Sequence, residues 1–262
     1  MNSLSSGLVA LCLVASATGA FVDDPLPRAR PESVGMSSER LERIGRVINE
    51  HIERNHLPGM VVAVARKGKL VYFEAFGWRD KQAGVKMTTD TIFSLASMTK
   101  PMVGVATMAL YEKGRLLLGD PVGKYLPELG QLDVGVIKQD ANGKPVIEQV
   151  PAKRQMVIQD LMRHTAGLTY GARGQTPLHK LHPASSSSTA LKMTADEFIG
   201  KLGSLPLIHQ PGTVWEYSVS IDVLGILLEQ ASGQRLGDLL AERLWKPLGM
   251  TDTAFRIPKE KM

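Results

Sequence analysis

The chain has 262 residues, 44% of them hydrophobic and 22% charged, with 31 Lys and Arg against 26 Asp and Glu. That balance belongs to a globular protein and excludes a polytopic membrane protein or a largely disordered chain. The net charge of +5 is spread among acids with no run of five like charges, which points to a solvated surface and away from nucleic acid.

The single cysteine, Cys12, excludes a disulfide framework and a Cys-based zinc site. It lies in an apolar run over residues 8–17 that has signal-peptide length and is too short to span a bilayer as a helix. Residues 1–20 therefore read as a signal peptide cleaved after Ala17 or Ala20, with a periplasmic or secreted mature protein. No Lys or Arg precedes the run, so the α-amino group alone supplies the n-region charge. Residues 21–36 read as an extended linker. Ser37 or Ser38 is placed to cap a helix that carries Leu41, Ile44, Ile48 and Ile52 on one face and ends at His56-Leu57-Pro58-Gly59. Two β-rich runs, 60–65 and 70–76, flank residues 66–69 and predict a hairpin.

Ile92-Phe93 leads into Ser97-Met98-Thr99-Lys100-Pro101 and a long apolar helix that stops at Lys113-Gly114. Proline is tolerated only in a helix's first turn, so this helix starts at about Ser97. Asn142-Gly143, between Val136-Ile137 and Val146-Ile147, predicts a two-residue hairpin turn. A short helix over 157–163 precedes His164-Thr-Ala-Gly-Leu168, and 171–190 read as a long surface loop. Thr194-Ala-Asp-Glu197 is a capping box with Phe198, Ile199 and Leu202 turned inward. After a Pro211-Gly212 turn and an extended piece over 214–217, Ser220 is placed to cap a helix over 221–230, and another covers 236–244. The domain reading is a sheet part over 37–96 and a mainly helical part over 97–262.

Several site patterns are absent: there is no Gly-x-Ser-x-Gly elbow, no phosphate-binding Gly-rich loop and no His-Glu-x-x-His. His51 and His56 are five apart and share no helix face, and His179 and His182 fall in the loop. All four read as solvated histidines, so no metal and no cofactor is expected. What remains is Ser97-x-x-Lys100. Residues three apart share a helix face, and a serine at a helix N-terminus has amide donors and the positive dipole end beside it. Two readings stay open: a serine nucleophile whose proton goes to lysine, or a plain helix start with an exposed lysine. Tyr217, in Tyr217-Ser-Val219, is either a general acid or base or a packed tyrosine.

Taken together, residues 92–101, His164-Thr-Ala-Gly-Leu168, Tyr217-Ser-Val219 and Leu248-Gly-Met-Thr251 resemble, in order and spacing, the serine β-lactamase-like hydrolases. That superfamily holds class C β-lactamases, DD-peptidases and family VIII carboxylesterases, and the resemblance runs from about residue 32 onward. It implies a β-lactamase/transpeptidase-like fold, α/β plus all-α, with the site at the border of the two parts. It makes Ser97 the acylated nucleophile, Lys100 its proton partner and Tyr217 the group that serves leaving group and deacylating water. Which of Lys100 and Tyr217 is the primary base stays open, and His164 is read as structural.

Two departures stand out. β-Lactamases of this type carry Tyr-x-Asn, whose amide meets the substrate's acylamino group, whereas Val219 stands at this substrate-binding position. A missing polar contact lowers discrimination for an amide-bearing substrate, which favours a carboxylesterase on small acyl esters. The family's Lys-Thr-Gly, His-x-Gly or Trp-x-Gly segment, which implies a second oxyanion donor beside that of Ser97, is not found after Tyr217. The C-terminal strands of the sheet are accordingly expected to be missing from these 262 residues. The expected activity is a serine hydrolase acting on a small-molecule ester through an acyl-enzyme. The alternatives are a β-lactamase or DD-peptidase acting on a β-lactam-like substrate, or a catalytically silent ligand-binding relative. Neither nucleic acid nor a stable membrane span is expected.

Overall fold

The structure is a computed structural model that describes residues 26–187 and 190–257. The apolar run with Cys12 lies outside the described residues. The chain divides into two compact units, Met1–Phe93 and Ser94–Met262. Among the described residues no helix is long and apolar enough to cross a membrane.

In the first unit, helix α1 (Ser38–Glu53) starts where Ser37 Oγ accepts the Arg40 amide at 3.2 Å. Strands β1 (Gly59–Arg66), β2 (Lys69–Asp80) and β3 (Val85–Lys86) form an antiparallel sheet in the order β1-β2-β3. Arg66 pairs with Lys69, and Lys67 and Gly68 between them both have positive φ, the two-residue turn whose twist suits paired strands. Within the stretch read as linker, Arg28 bridges to Leu70, and Pro31–Val34 form a 3-10 turn. Leu41 and Ile48 of α1 are buried, and Gly45 lets the helix come close to Phe76. His51 and His56 meet in spite of their spacing, with Nδ1 atoms 3.1 Å apart, because the chain turns back after the helix ends.

The second unit is built around α6 (Ser220–Ser232), whose Val223, Leu224, Leu227 and Leu228 are wholly buried. Against it pack α2 (Thr99–Glu112), α3 (Ile158–Arg163) and α7 (Leu236–Leu240), which runs into a π-helical turn, Ala241–Trp245, while α5 (Ala195–Gly203) adds Phe198, Ile199 and Leu202 to the same core. Thr194 and Glu197 form the expected capping box of α5. The hairpin of β4 (Asp133–Gln139) and β5 (Pro145–Pro151) hangs from this core through bonds between Gly135 and Leu207 and between Leu207 and Asp133, both 2.8 Å.

Three expectations are corrected. The Asn142-Gly143 hairpin does not use a two-residue turn. Asp140 and Lys144 close it by a backbone bond, the Asp140 carboxylate accepts the Asn142 and Lys144 amides, and Gly143 takes positive φ. Capping by Asp140 outcompetes the tighter turn. The stretch 171–190 is not all surface loop: it holds a 3-10 turn, Gly171–Arg173, and helix α4 (Pro177–Leu181), with Leu178 buried. His182 in the same stretch is buried, bonding its Nε2 to the Pro206 carbonyl at 3.0 Å, so it is no solvated histidine.

Asp160 ties α3 to its surroundings. Buried, it takes two bonds from the Arg154 guanidinium at 2.6 and 3.0 Å, one from the Val157 amide at 2.9 Å and one from Thr165 Oγ1 at 3.0 Å. Burial pushes its carboxyl up, but Arg154 and the other donors outweigh that and hold it below its ordinary value. A depressed carboxyl stabilises the fold above its unfolded value of ~3.9, and that contribution is lost as pH falls through the folded value. Asp160→Ala is expected to lower unfolding free energy in urea at neutral pH by about 3 kcal/mol. The variant should also lose the part of the acid-induced decline below about pH 4 that belongs to this group.

Candidate active site

Ser97 lies in a 3-10 turn, Ala96–Met98, that opens directly into α2, so Lys100 stands in the first turn of that helix with its side chain directed back at the serine. Lys100 Nζ donates to Ser97 Oγ at 3.2 Å. The residue before the serine, Ala96, has φ of +44°, a left-handed conformation that costs a residue with a Cβ roughly 1–2 kcal/mol. Such strain persists only where the surrounding structure enforces it, and here it turns the chain sharply just before the Ser97 hydroxyl.

Tyr217 enters from the other side, on the irregular segment that leads into α6. Its hydroxyl and Ser97 Oγ are 2.7 Å apart, and Lys100 Nζ stands 4.9 Å from the centre of its ring. The Lys100 ammonium, and then the bond with Ser97, hold the phenol below its ordinary value, while burial and the Asp222 carboxylate oppose this. Thus Ser97, Lys100 and Tyr217, the three residues singled out from the sequence, come together. A phenol with lowered proton affinity in contact with a serine hydroxyl can take or return that hydroxyl's proton.

The rings of His164, Tyr170 and Trp215 lie 4.8, 5.8 and 6.3 Å from that of Tyr217, and the Arg173 guanidinium is 5.5 Å from its centre. Arg173 also pairs with Glu216 at 3.6 Å. Trp215 and Met98, next to these groups in sequence, are 62% and 67% exposed, so two large apolar side chains stand on the surface there beside the half-exposed Arg173. His164 caps the C-terminus of α3 with φ of +57°. Its Nδ1 accepts the Ser218 amide at 3.2 Å, and its carbonyl accepts the Glu216 amide at 2.8 Å. An acceptor Nδ1 requires an unprotonated nitrogen, and burial, helped by Lys100, lowers the imidazole to about 4. The histidine is therefore a neutral strut for the Tyr217 segment. Gly167 of the same motif has φ of +82° and lies against the His209 carbonyl, where a Cβ would collide.

Two further expectations change at the start of α6. Ser220 is the first helical residue and not the cap, and the Ser218 hydroxyl accepts its amide at 3.3 Å. Val219, read as a substrate-binding position, is wholly buried in the core of the second unit and does not reach the surface beside Ser97. Its backbone has already turned towards the helix, with φ −67° and ψ 7°. Arg173, Trp215, Tyr170 and Asp222 were not singled out from the sequence. Asp222 carried a signal, as an acid in a helix's first turn, but one that any helix start shares. Among the described residues no three His, Cys, Asp or Glu gather as a metal site would need.

Residues 44–262 match the family model described as Beta-lactamase. A Mycobacterium tuberculosis protein described as uncharacterized is 37% identical over 210 residues, which are 80% of this chain and 50% of that protein. Esterase EstB of Burkholderia gladioli is 34% identical over 214 residues, 81% of this chain and 51% of the esterase. The chain thus spans about half the length of the curated relatives it matches. Among solved structures, EstCE1, described as a hydrolase with promiscuous acyltransferase activity, superposes with a TM-score of 0.68 at 29% identity. The match covers 84% of this chain and 54% of that one. The fold is β-lactamase/transpeptidase-like, with helices and antiparallel sheets.

Because His164 is held neutral, the unfolded chain binds a proton here between pH about 6.5 and about 4 that the folded chain does not. Stability should therefore fall as pH drops through that interval. His164→Asn tolerates the left-handed backbone but does not titrate, and it should flatten this part of the profile of urea midpoint against pH. An unchanged profile would show that His164 titrates alike in the folded and the unfolded chain.

Proposed function

This chain belongs to the beta-lactamase family, and on that premise we propose that it is a serine hydrolase that works through an acyl-enzyme, with small acyl esters as substrates. The observation that carries this reading is the contact of Ser97 Oγ with both Tyr217 OH at 2.7 Å and Lys100 Nζ at 3.2 Å. Ser97 Oγ attacks the acyl carbon while its proton passes to the Lys100–Tyr217 pair. The bond to the leaving alkoxide breaks, and the pair returns the proton to that oxygen. The same pair then takes a proton from water as the water attacks the acyl-serine, and it restores the hydroxyl to Ser97 as the acid leaves. The two groups share the proton, so the titration belongs to the pair and not to either residue.

The ester preference rests on two features. The surface by the serine carries the exposed Trp215 and Met98. A relative at 34% identity bears the name esterase.

With p-nitrophenyl butyrate the protein is expected to show a burst of product, and a fluorophosphonate should label Ser97. Ser97→Ala should abolish both, while Lys100→Ala and Tyr217→Phe should each slow turnover by about 100- to 10,000-fold. Absence of both burst and labelling would overturn the hydrolase reading. Turnover of nitrocefin faster than that of the ester would replace esterase by β-lactamase.

A further inference from the structure

Behind the reactive groups lies a polar cluster that the proposed reaction does not use. Asp222, in the first turn of α6, receives a hydrogen bond from Ser186 Oγ at 2.9 Å and one from Tyr170 OH at 3.3 Å, both on Oδ2. The Tyr170 and Ser186 hydroxyls are 2.8 Å apart, which closes a three-membered ring of polar groups. Tyr170 is buried, and its ring lies 5.8 Å from that of Tyr217. One buried aromatic therefore touches both the carboxylate cluster and the phenol that meets Ser97.

An acid in a helix's first turn is ordinarily explained by the helix dipole. That account does not explain why two hydroxyls from separate segments, 16 residues apart, converge on one carboxylate oxygen. Nor does it explain why the carboxylate lies within electrostatic reach of both Lys100 and Tyr217. The charged and titratable groups around the phenol are Lys100 from α2, His164 from the end of α3, Arg173 with its partner Glu216, and Asp222. His164 is neutral, and Arg173 is paired by Glu216. The positive charge of Lys100 pulls the Tyr217 proton off, and the negative charge of Asp222 holds it on.

We propose that Asp222, held by Ser186 and Tyr170, is a positioning residue that tunes Tyr217 as the proton partner of Ser97. The half-buried carboxylate opposes the lysine's pull on the phenol and so keeps the phenol oxygen basic enough to take the Ser97 proton. Burial raises Asp222 itself towards protonation, and the bonds from Ser186 and Tyr170 counter this. The two hydroxyls hold the carboxylate in place. The role assigned to Tyr217 rests on the acyl-enzyme reading, but the placement of charge does not.

The test uses Asp222→Asn in the full chain, which keeps the shape and removes the charge. Titration of Tyr217 is read as the difference in tyrosinate absorbance between each protein and its Tyr217→Phe counterpart. The midpoint should move to lower pH in Asp222→Asn, and in the same direction by less in Ser186→Ala. Asp222→Glu should restore it in part. On the acidic limb, fluorophosphonate labelling of Ser97 should be faster in Asp222→Asn than in the parent, whereas a merely loosened site would be slower at every pH. An unmoved Tyr217 midpoint in both Asp222→Asn and Ser186→Ala overturns the proposal. A moved midpoint in a parent whose Ser97 cannot be labelled upholds the electrostatic role of Asp222 and removes the hydrolase reading instead.

Discussion

The candidate site depends on a contact of 2.7 Å between two hydroxyls that lie 120 residues apart in sequence, those of Ser97 and Tyr217. Such a bond contributes about 1 kcal/mol net, far too little to bring the starts of two helices together. The placement comes from the core beneath it. Val103, Ala106 and Leu110 of α2 share one buried cluster with Val219, just before α6, and with Val223, Leu224 and Leu227 of α6. Each large apolar side chain in that cluster is worth about 1.5–3 kcal/mol, so the packing fixes the helix starts and the hydroxyls meet as a consequence. A close-packed interior does not shift by an ångström without cost, so the contact is as well defined as the core that carries it.

On that rigid base the charges are disposed unevenly. Lys100 is the cation nearest the serine, and around it stand a histidine kept neutral by burial, an arginine paired to Glu216 and a half-buried carboxylate. A protonated His164 would put a second positive charge beside Lys100, and its Nδ1 could no longer accept the Ser218 amide. Neutrality of the histidine and the hold on the Tyr217 segment are thus one property. The segment is tied at both neighbours of the tyrosine, Glu216 to the His164 carbonyl and Ser218 to the His164 ring, which leaves the phenol little freedom to swing away from Ser97.

What the sequence disclosed divides along a physical line. Turns and caps closed by neighbouring residues were legible: Lys67-Gly68, the Thr194–Glu197 box, and a helix start placed by Pro101. Where two local signals compete, the reading went astray, as when Asp140 captured amides that an Asn-Gly turn would have left to the strands. Long-range facts were legible only through resemblance. Nothing local in residues 97–100 says that residue 217 completes them, and nothing local shows that His182 would be buried. The left-handed Ala96 carries no signal at all, since alanine prefers the helical conformation that its neighbours adopt. Strain of this kind is imposed by tertiary structure and is therefore invisible to propensity.

Val219 shows how far a substitution can mislead when only its chemistry is considered. Compared with an asparagine at the same place, valine reads as a lost contact to substrate. In the fold its side chain fills the core at the point where the extended segment turns into α6, with no exposed surface. An amide in that same pose would bury donors and acceptors among apolar side chains, at about 1–3 kcal/mol where no partner is available. The valine side chain is thus explained by packing: it anchors, in the core of the second unit, the segment that carries Tyr217 two residues earlier.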